Sequence, residues 1–375
     1  MRRSVLYGIV LGTLLALPGF AISSYATSAS AAVACPLQTS SSWNMYTADT
    51  ATLSACDLVS YPVASVTTLP GGGTQTTYAT PDGPTSEITP PANFDPATAS
   101  PAQLAEYGIP PEPPASNATA LANWQAMINN MHTAGPAQSQ MIGTNASQFK
   151  RNPTYQTNGP TGWAGYYANE SSGYFHYAYG EYVEPTQYSS ACSSSAAVPW
   201  VGIGGVNTSL FGQAGTEIGN QSGGGQHQFW YETNVGTVNF PNFYATAGSS
   251  FEVDVSYNTS NDTYSYFGYN LASGVYHTYT QYSSSYGGAT TDFIMERLGG
   301  TNLSNFATMT WEYAASAVQQ YPLYDYPYVN YQLTSNGAPS GGYDLATAND
   351  TSSPTIPSPV SSSGNPFYIH QDRCN

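Results

Sequence analysis

Glu296 and Gln213 are residue types that could meet, between them, the two demands of peptide-bond hydrolysis. The reaction needs a base to take a proton from water and a donor to hold the charge that develops on the carbonyl oxygen. The carboxylate of Glu296 supplies the base. Gln213 offers amide N–H groups and a carbonyl, which orient the water and donate to the oxyanion without carrying charge. Once protonated, Glu296 can deliver its proton to the leaving nitrogen, so a single carboxyl serves as base and then as acid. A pair of aspartates reaches a comparable result through mutual repulsion; a lone carboxyl leaves burial and hydrogen bonding to set its pKa. Taken singly, each residue has a plainer reading: a strand glutamine is usually solvated, and Glu296 could pair with Arg297 at the surface.

Other chemistries find little footing. His132, His176, His227, His277 and His370 are scattered without metal-ligand spacing, and there is no His-Glu-x-x-His, so neither a metal nor a cofactor is expected. No Asp-Thr-Gly or Asp-Ser-Gly triplet, Gly-x-Ser-x-Gly elbow or phosphate loop is present, and Gly223-Gly224-Gly225 reads as a hairpin turn.

The elements that must position the two residues are strands. In Val198–Gly205, Val201 and Ile203 face one way while Trp200, Gly202 and Gly204 face the other, so one face is core and the other bare. Glycines beside a tryptophan would leave room for a second backbone, as a bound peptide requires. Gln213 lies on the face opposite Leu210, and Trp230 shares a side with Glu232. Asp292, Ile294 and Glu296 line one face of the last such strand, with Phe293 and Met295 beneath. From about residue 152 onward, short segments rich in Tyr, Val, Phe and Thr alternate with Gly, Ser and Asn. That pattern predicts an all-β, two-sheet antiparallel β-sandwich.

At these residues the chain resembles the glutamic peptidases, or eqolisins, and looks like a non-fungal member. The resemblance runs from about Trp163 to Phe367 through Gly162-Trp163-Ala164-Gly165, Trp200-Val201-Gly202-Ile203, Gln213-Ala214-Gly215, Trp230-Tyr231-Glu232 and Asp292-Phe293-Ile294-Met295-Glu296, in the family's order. It implies a lectin-like jelly roll and acid-acting endopeptidase activity, with Gln213 and Glu296 at the catalytic positions. It further implies that Trp163, Trp200, Trp230 and Glu232 line the cleft, and that Glu217 falls where fungal members carry an aspartate near the site. Two departures stand out: Gly204 replaces an acidic residue of the fungal pattern, and Gly162 replaces an asparagine. The first removes an acceptor that another group would have to supply.

Composition points to the same conditions. One lysine, Lys150, accompanies 22 aspartates and glutamates, and the formal charge is −16 at neutral pH. In acid the carboxylates are neutral, and a chain with few cations then avoids self-repulsion. Nucleic acid is excluded as a partner, because phosphate binding needs a basic patch. Polypeptide substrates and a monomer are expected.

Arg2 and Arg3, an apolar run from Val5 to Ile22 and small residues up to Ala34 read as a signal peptide over residues 1–34. The mature protein is therefore expected to be secreted and extracellular, with no membrane partner. Residues 35–151 are expected to form a pro-segment ahead of a peptidase domain at 152–375. Its Pro-rich stretch, Pro70 to Pro114, is too poor in periodic apolar residues to form a core. One helix follows, capped by Ser116 or Asn117, striped by Leu121, Trp124, Ile128 and Met131, and closed by Gly135. Lys150 and Arg151 sit where a cationic clamp on Glu296 or Glu217 would weaken on acidification. Of the three pairings that four cysteines permit, Cys35 with Cys56 and Cys192 with Cys374 keep one bridge in each half. The competing class is a secreted carbohydrate- or surface-binding sandwich without catalysis, which would use the same aromatic face.

Overall fold

The computed structural model describes residues 35, 44–113, 115, 118–133, 135–144, 163–169, 171–186, 196–205, 208–219, 227–234, 236–296, 308–317, 355–357 and 367–371. Its helices are α1 (Thr50–Ala55), α2 (Pro101–Glu106) and α3 (Ala118–Asn130). The strands ahead of the peptidase motifs are β1 (Leu58–Thr68), β2 (Thr74–Thr80), β3 (Gly83–Thr89), β4 (His132–Thr133) and β5 (Gln140–Thr144). Then come β6 (Trp163–Asn169), β7 (Tyr177–Val183), β8 (Ala196–Gly204), β9 (Phe211–Gly219), β10 (Gln228–Thr233), β11 (Asn239–Phe240) and β12 (Ser250–Asn258). The chain continues through β13 (Thr263–Asn270), β14 (Val275–Tyr282), β15 (Thr290–Glu296), β16 (Thr308–Ala317), β17 (Thr355–Pro357) and β18 (Phe367–Gln371).

These strands form two sheets. One runs β1-β5-β11-β10-β9-β8-β15-β6, and the other runs β1-β2-β3-β14-β13-β12-β7-β16-β18-β17. Pairing is antiparallel throughout, except where β4 adds to β14 in parallel. β1 belongs to both sheets, because its register slips between Val63 and Ser65 and the strand bends from β5 toward β2.

Alternation decides which side of each strand is core. Val201, Ile203, Ala214, Phe229, Tyr231, Phe293 and Met295 from the first sheet meet Val253, Val255, Tyr264 and Tyr266 from the second in one buried cluster. This is the predicted two-sheet sandwich. The expected burial of Phe293 and Met295 beneath the last strand is met.

Residues 58–144, within the stretch expected to form the pro-segment, are stitched into both sheets. Tyr61, Tyr78 and Met141 join the inter-sheet core, and β3 extends the second sheet at β14. Within the Pro-rich stretch, Tyr78 and Ile109 are fully buried. Tyr78 is buried by β2, which lies between β1 and β3, and Ile109 by the packing of the segment that follows α2. α3 forms as predicted and packs Met127, Ile128 and Met131 with Phe267, Tyr269 and Tyr276 on the outer face of the second sheet. It ends at Asn130, earlier than expected, since the chain then pairs β4 with β14. Cys35 and Cys56 form the expected disulfide. The signal peptide, Lys150, Arg151, Gly162, Cys192, Gly223–Gly225, Arg297 and Cys374 lie outside the described residues.

Candidate functional site

The residues singled out by sequence converge on the outer face of the first sheet, in three adjacent cross-strand rows. In the first, Glu232 of β10 faces Gln213 of β9, which faces Gly202 of β8, which faces Asp292 of β15. Directly opposed residues of an antiparallel pair project from the same side, so these four share one face. In the second row, Trp230 and Trp200 flank Gly215, and Ile294 lies beyond Trp200. In the third, Glu217 faces Gln228, while Glu296 faces Val198 on one side and Trp163 of β6 on the other.

Glycine makes the middle of this face. A Cβ on Gly215 would lie 2.1 Å from the Pro199 carbonyl oxygen and 2.7 Å from Trp200 Cβ, so only glycine lets β8 and β9 close here. At Gly202 a Cβ would meet Trp200 Cζ3 at 2.9 Å and Gln213 Cγ at 3.0 Å. The room expected for a visiting peptide at Gly202 is taken by the chain's own indole.

Trp200 is the hinge of the geometry. Its Nε1 donates to Glu296 Oε2 at 3.0 Å, while the opposite edge of the ring reaches Gly202 beside Gln213. The indole thus spans the interval between the two candidate catalytic groups. Gln213 is in register with Asp292, four residues before Glu296. Two strand spacings across and four residues along put the Cα atoms of Gln213 and Glu296 about 16 Å apart on a flat sheet. The pair is brought to one face but not into one row.

The face is also covered, contrary to the expectation that it is bare. Trp200 and Trp230 are 0 % exposed, Gln213 5 %, Glu232 4 % and Glu217 1 %, whereas Glu296 keeps partial access. The cover comes from the N-terminal segment: Met45, Leu53, Leu58 and Ile142 pack with Val198, Trp200, Trp230 and Ile294 in one apolar cluster. Backbone pairing holds it there, because β5 joins β11 through Asn239–Gly143 and Phe240–Ile142. Trp163 is placed on β6 opposite Glu296; its side chain lies outside the described residues.

Gly204, which replaces an acidic residue of the fungal pattern, cannot host such a side chain. Its φ is +79°, and a Cβ would stand 2.1 Å from the Leu210 carbonyl oxygen. The acid on this row is Asp292. It is fully buried, its Oδ2 accepts from Thr290 Oγ1 at 3.4 Å, and burial pushes its carboxyl well above the usual range. Sequence reasoning placed Asp292 on this face but gave it no role, since only the three-strand register reveals its alignment with Gln213. Among the described residues no cluster of His, Cys, Asp and Glu could hold a metal ion.

Residues 161–349, half of the chain, match the Peptidase A4 family. Among solved structures, the chain is similar to scytalido-glutamic peptidase with a transition state analog inhibitor (18 % identity, 57 % of this chain, 100 % of that one, TM-score 0.40). It is also similar to SCP-B, a member of the Eqolisin family of peptidases, in a complex with the tripeptide Ala-Ile-His (17 % identity, 57 % of this chain, 100 % of that one, TM-score 0.37). Aspergilloglutamic peptidase from Aspergillus niger is similar at 20 % identity, over 47 % of this chain and 98 % of that one, with a TM-score of 0.31. No curated protein matches. The span of the family match, carrying the strands that bear Gln213 and Glu296, makes this chain a member of the Peptidase A4 family of glutamic peptidases, and so a peptide hydrolase.

Proposed function

We propose that this is a secreted, acid-acting endopeptidase, made as a precursor, in which Glu296 and Gln213 act on the two sides of one peptide carbonyl. Glu296 takes a proton from water as the oxygen attacks. Gln213 donates an N–H to the oxyanion, and protonated Glu296 then returns its proton to the nitrogen as the C–N bond breaks. Trp230, Glu232, Glu217 and Trp163 would contact the peptide on either side of the scissile bond. The enzyme works as a monomer.

The observation that carries this reading is that Glu296 and Gln213 stand at opposite edges of the Trp200 indole on one glycine-rich sheet face. Their separation by two rows means that the water they share must be held in a groove from which the N-terminal cover has departed and in which the indole has shifted. Precursor processing supplies that opening. The excess of carboxylates over cations supports action in acid, where the chain sheds its net charge.

Acidifying the purified full chain to pH 2–5 with denatured protein, beside Glu296→Gln, tests the proposal. Digestion by wild type alone is expected, with mass spectrometry showing loss of an N-terminal fragment before activity rises. Equal inactivity of both chains over that range would sink it. Mass spectrometry of the culture medium, finding a product that begins after Ala31 or Ala34, checks secretion.

A further inference from the structure

The buried carboxyl of Asp292 has no evident purpose in folding. Among the described residues its Oδ1 has no hydrogen-bond partner, and its Oδ2 accepts only the long bond from Thr290 Oγ1. An apolar residue of the same shape would suit a position that is 0 % exposed better than an acid does. The side chain is nonetheless held on the site face, in register with Gln213, with only Gly202 between them.

What connects the two groups is Gly205. Its φ is +105°, and the point where a Cβ would sit lies 3.3 Å from Gln213 Nε2 and 3.8 Å from Asp292 Oδ2. Both polar ends therefore face one small space that the absent side chain leaves open. Gly204 and Gly205 in succession turn the backbone away from the face at this spot, and only residues without a Cβ tolerate both conformations readily.

We propose that Asp292 is a positioning residue for Gln213, its carboxyl holding the amide nitrogen across the space over Gly205, directly or through one water. A glutamine amide left to itself rotates and flips end for end. Anchoring one N–H on Asp292 leaves the other N–H and the carbonyl oxygen turned toward the groove, the arrangement that an oxyanion donor and water holder needs. Burial keeps the carboxyl neutral in acid, so the anchor adds no second negative charge beside Glu296. The inference rests on the assignment of Gln213 under the proposed function and deepens it.

The test compares Asp292→Leu and Asp292→Asn in the full chain, processed and assayed in acid on denatured protein. The leucine variant should lose about tenfold or more in kcat with KM within about twofold, because orientation and not binding is lost. Asparagine, which keeps an acceptor of the same shape, should recover kcat to within about threefold. Retained kcat in the leucine variant, or an equal fall of both variants confined to KM, overturns the proposal. Wild-type chain provides a reading that does not depend on variants folding. The Gln213 side-chain amide protons, identified by their disappearance in Gln213→Ala, should be dispersed and slow to exchange, whereas a degenerate, fast-exchanging pair overturns the anchor. If wild type and Glu296→Gln are both inactive, the proposed acid-acting dyad fails by itself, and the amide signal still decides whether Asp292 holds Gln213.

Discussion

Trp200 Nε1 donates to Glu296 Oε2 at 3.0 Å, and this bond fixes where the Glu296 carboxylate sits. The donor comes from a fully buried ring two residues from Gly202, so carboxylate, indole and the backbone beneath Gln213 are mechanically one unit. A hydrogen bond to a charged acceptor is worth about 1.5–3 kcal/mol, or roughly ten- to a hundredfold in rate if it orients the base. Trp200→Phe, which keeps most of the ring and deletes the donor, should lower kcat by that factor in an acid assay. Unchanged kcat would show that the bond does not orient the base.

Gly202 should be intolerant of alanine for a reason that is local to the site. The new methyl would press on Trp200 Cζ3 and Gln213 Cγ at the same time, so relief for one crowds the other. Overpacking of this kind costs about 1–3 kcal/mol and displaces side chains. Gly202→Ala is expected to fold, with a lower thermal midpoint, and to lose more kcat than Trp200→Phe because both candidate catalytic groups move. Near wild-type turnover in a folded Gly202→Ala protein would count against the indole as the spacer between them.

Much of this site is legible from strand alternation alone. Val201, Ile203, Phe293 and Met295 point to the core, which forces Trp200, Asp292 and Glu296 onto the other face. What alternation cannot give is the pairing register. Whether Gln213 aligns with Asp292 or with Glu296 depends on how β9, β8 and β15 slide past one another, and that is settled by Gly215 beneath Trp200 and by the turn at Gly204–Gly205. The cover was hidden for a related reason. Ile142 beside Met141 and Leu58 beside Val59 form apolar pairs too short to show a pattern; Ile142 is brought to the site by the pairing of β5 with β11, a contact of residues nearly a hundred positions apart, and Leu58 by the pairing of β1 with β5.

Loosening the cover should speed the proposed maturation. Ile142 is fully buried against the site tryptophans, and its removal to alanine costs about 2–5 kcal/mol through lost packing and the cavity left behind. In Ile142→Ala, activity at pH 3 should appear sooner than in wild type, and acrylamide should quench more of the tryptophan fluorescence before processing. The same onset in both chains would mean that this contact does not limit opening. Glu296→Gln in the same background should expose the tryptophans without generating activity, which separates uncovering from chemistry.

A second group of carboxyls, remote from the site, is expected to make the sandwich more stable in acid than at neutral pH. Glu252 faces Glu181 directly across β12 and β7, Asp254 lies two residues further on, and Glu312 stands near Glu181 from β16. Tyr179 Oη lies 3.3 Å from Glu181 Oε2 and 3.2 Å from Glu252 Oε2, so its one O–H is shared between them. Burial, then the charge of Glu312, pushes Glu181 up to about 7, and burial followed by neighbouring carboxylates holds Glu252 well above the usual range. Asp254 is raised by burial as well. A raised carboxyl binds its proton more tightly in the folded chain than in the unfolded one, so its contribution is fully present below the unfolded value, near 4, and is lost as pH rises through the folded value. For Glu181 the loss amounts to roughly 3 kcal/mol between about pH 4 and 7. The thermal midpoint should therefore be lower at pH 7.5 than at pH 4. Replacing Glu181 and Glu252 together by glutamine, which removes the titration and keeps the shape, should flatten that dependence, with the largest gain at neutral pH. A midpoint that rises from pH 4 to 7.5 in wild type, or a double variant with the wild-type slope, would rule this cluster out as a source of greater stability in acid.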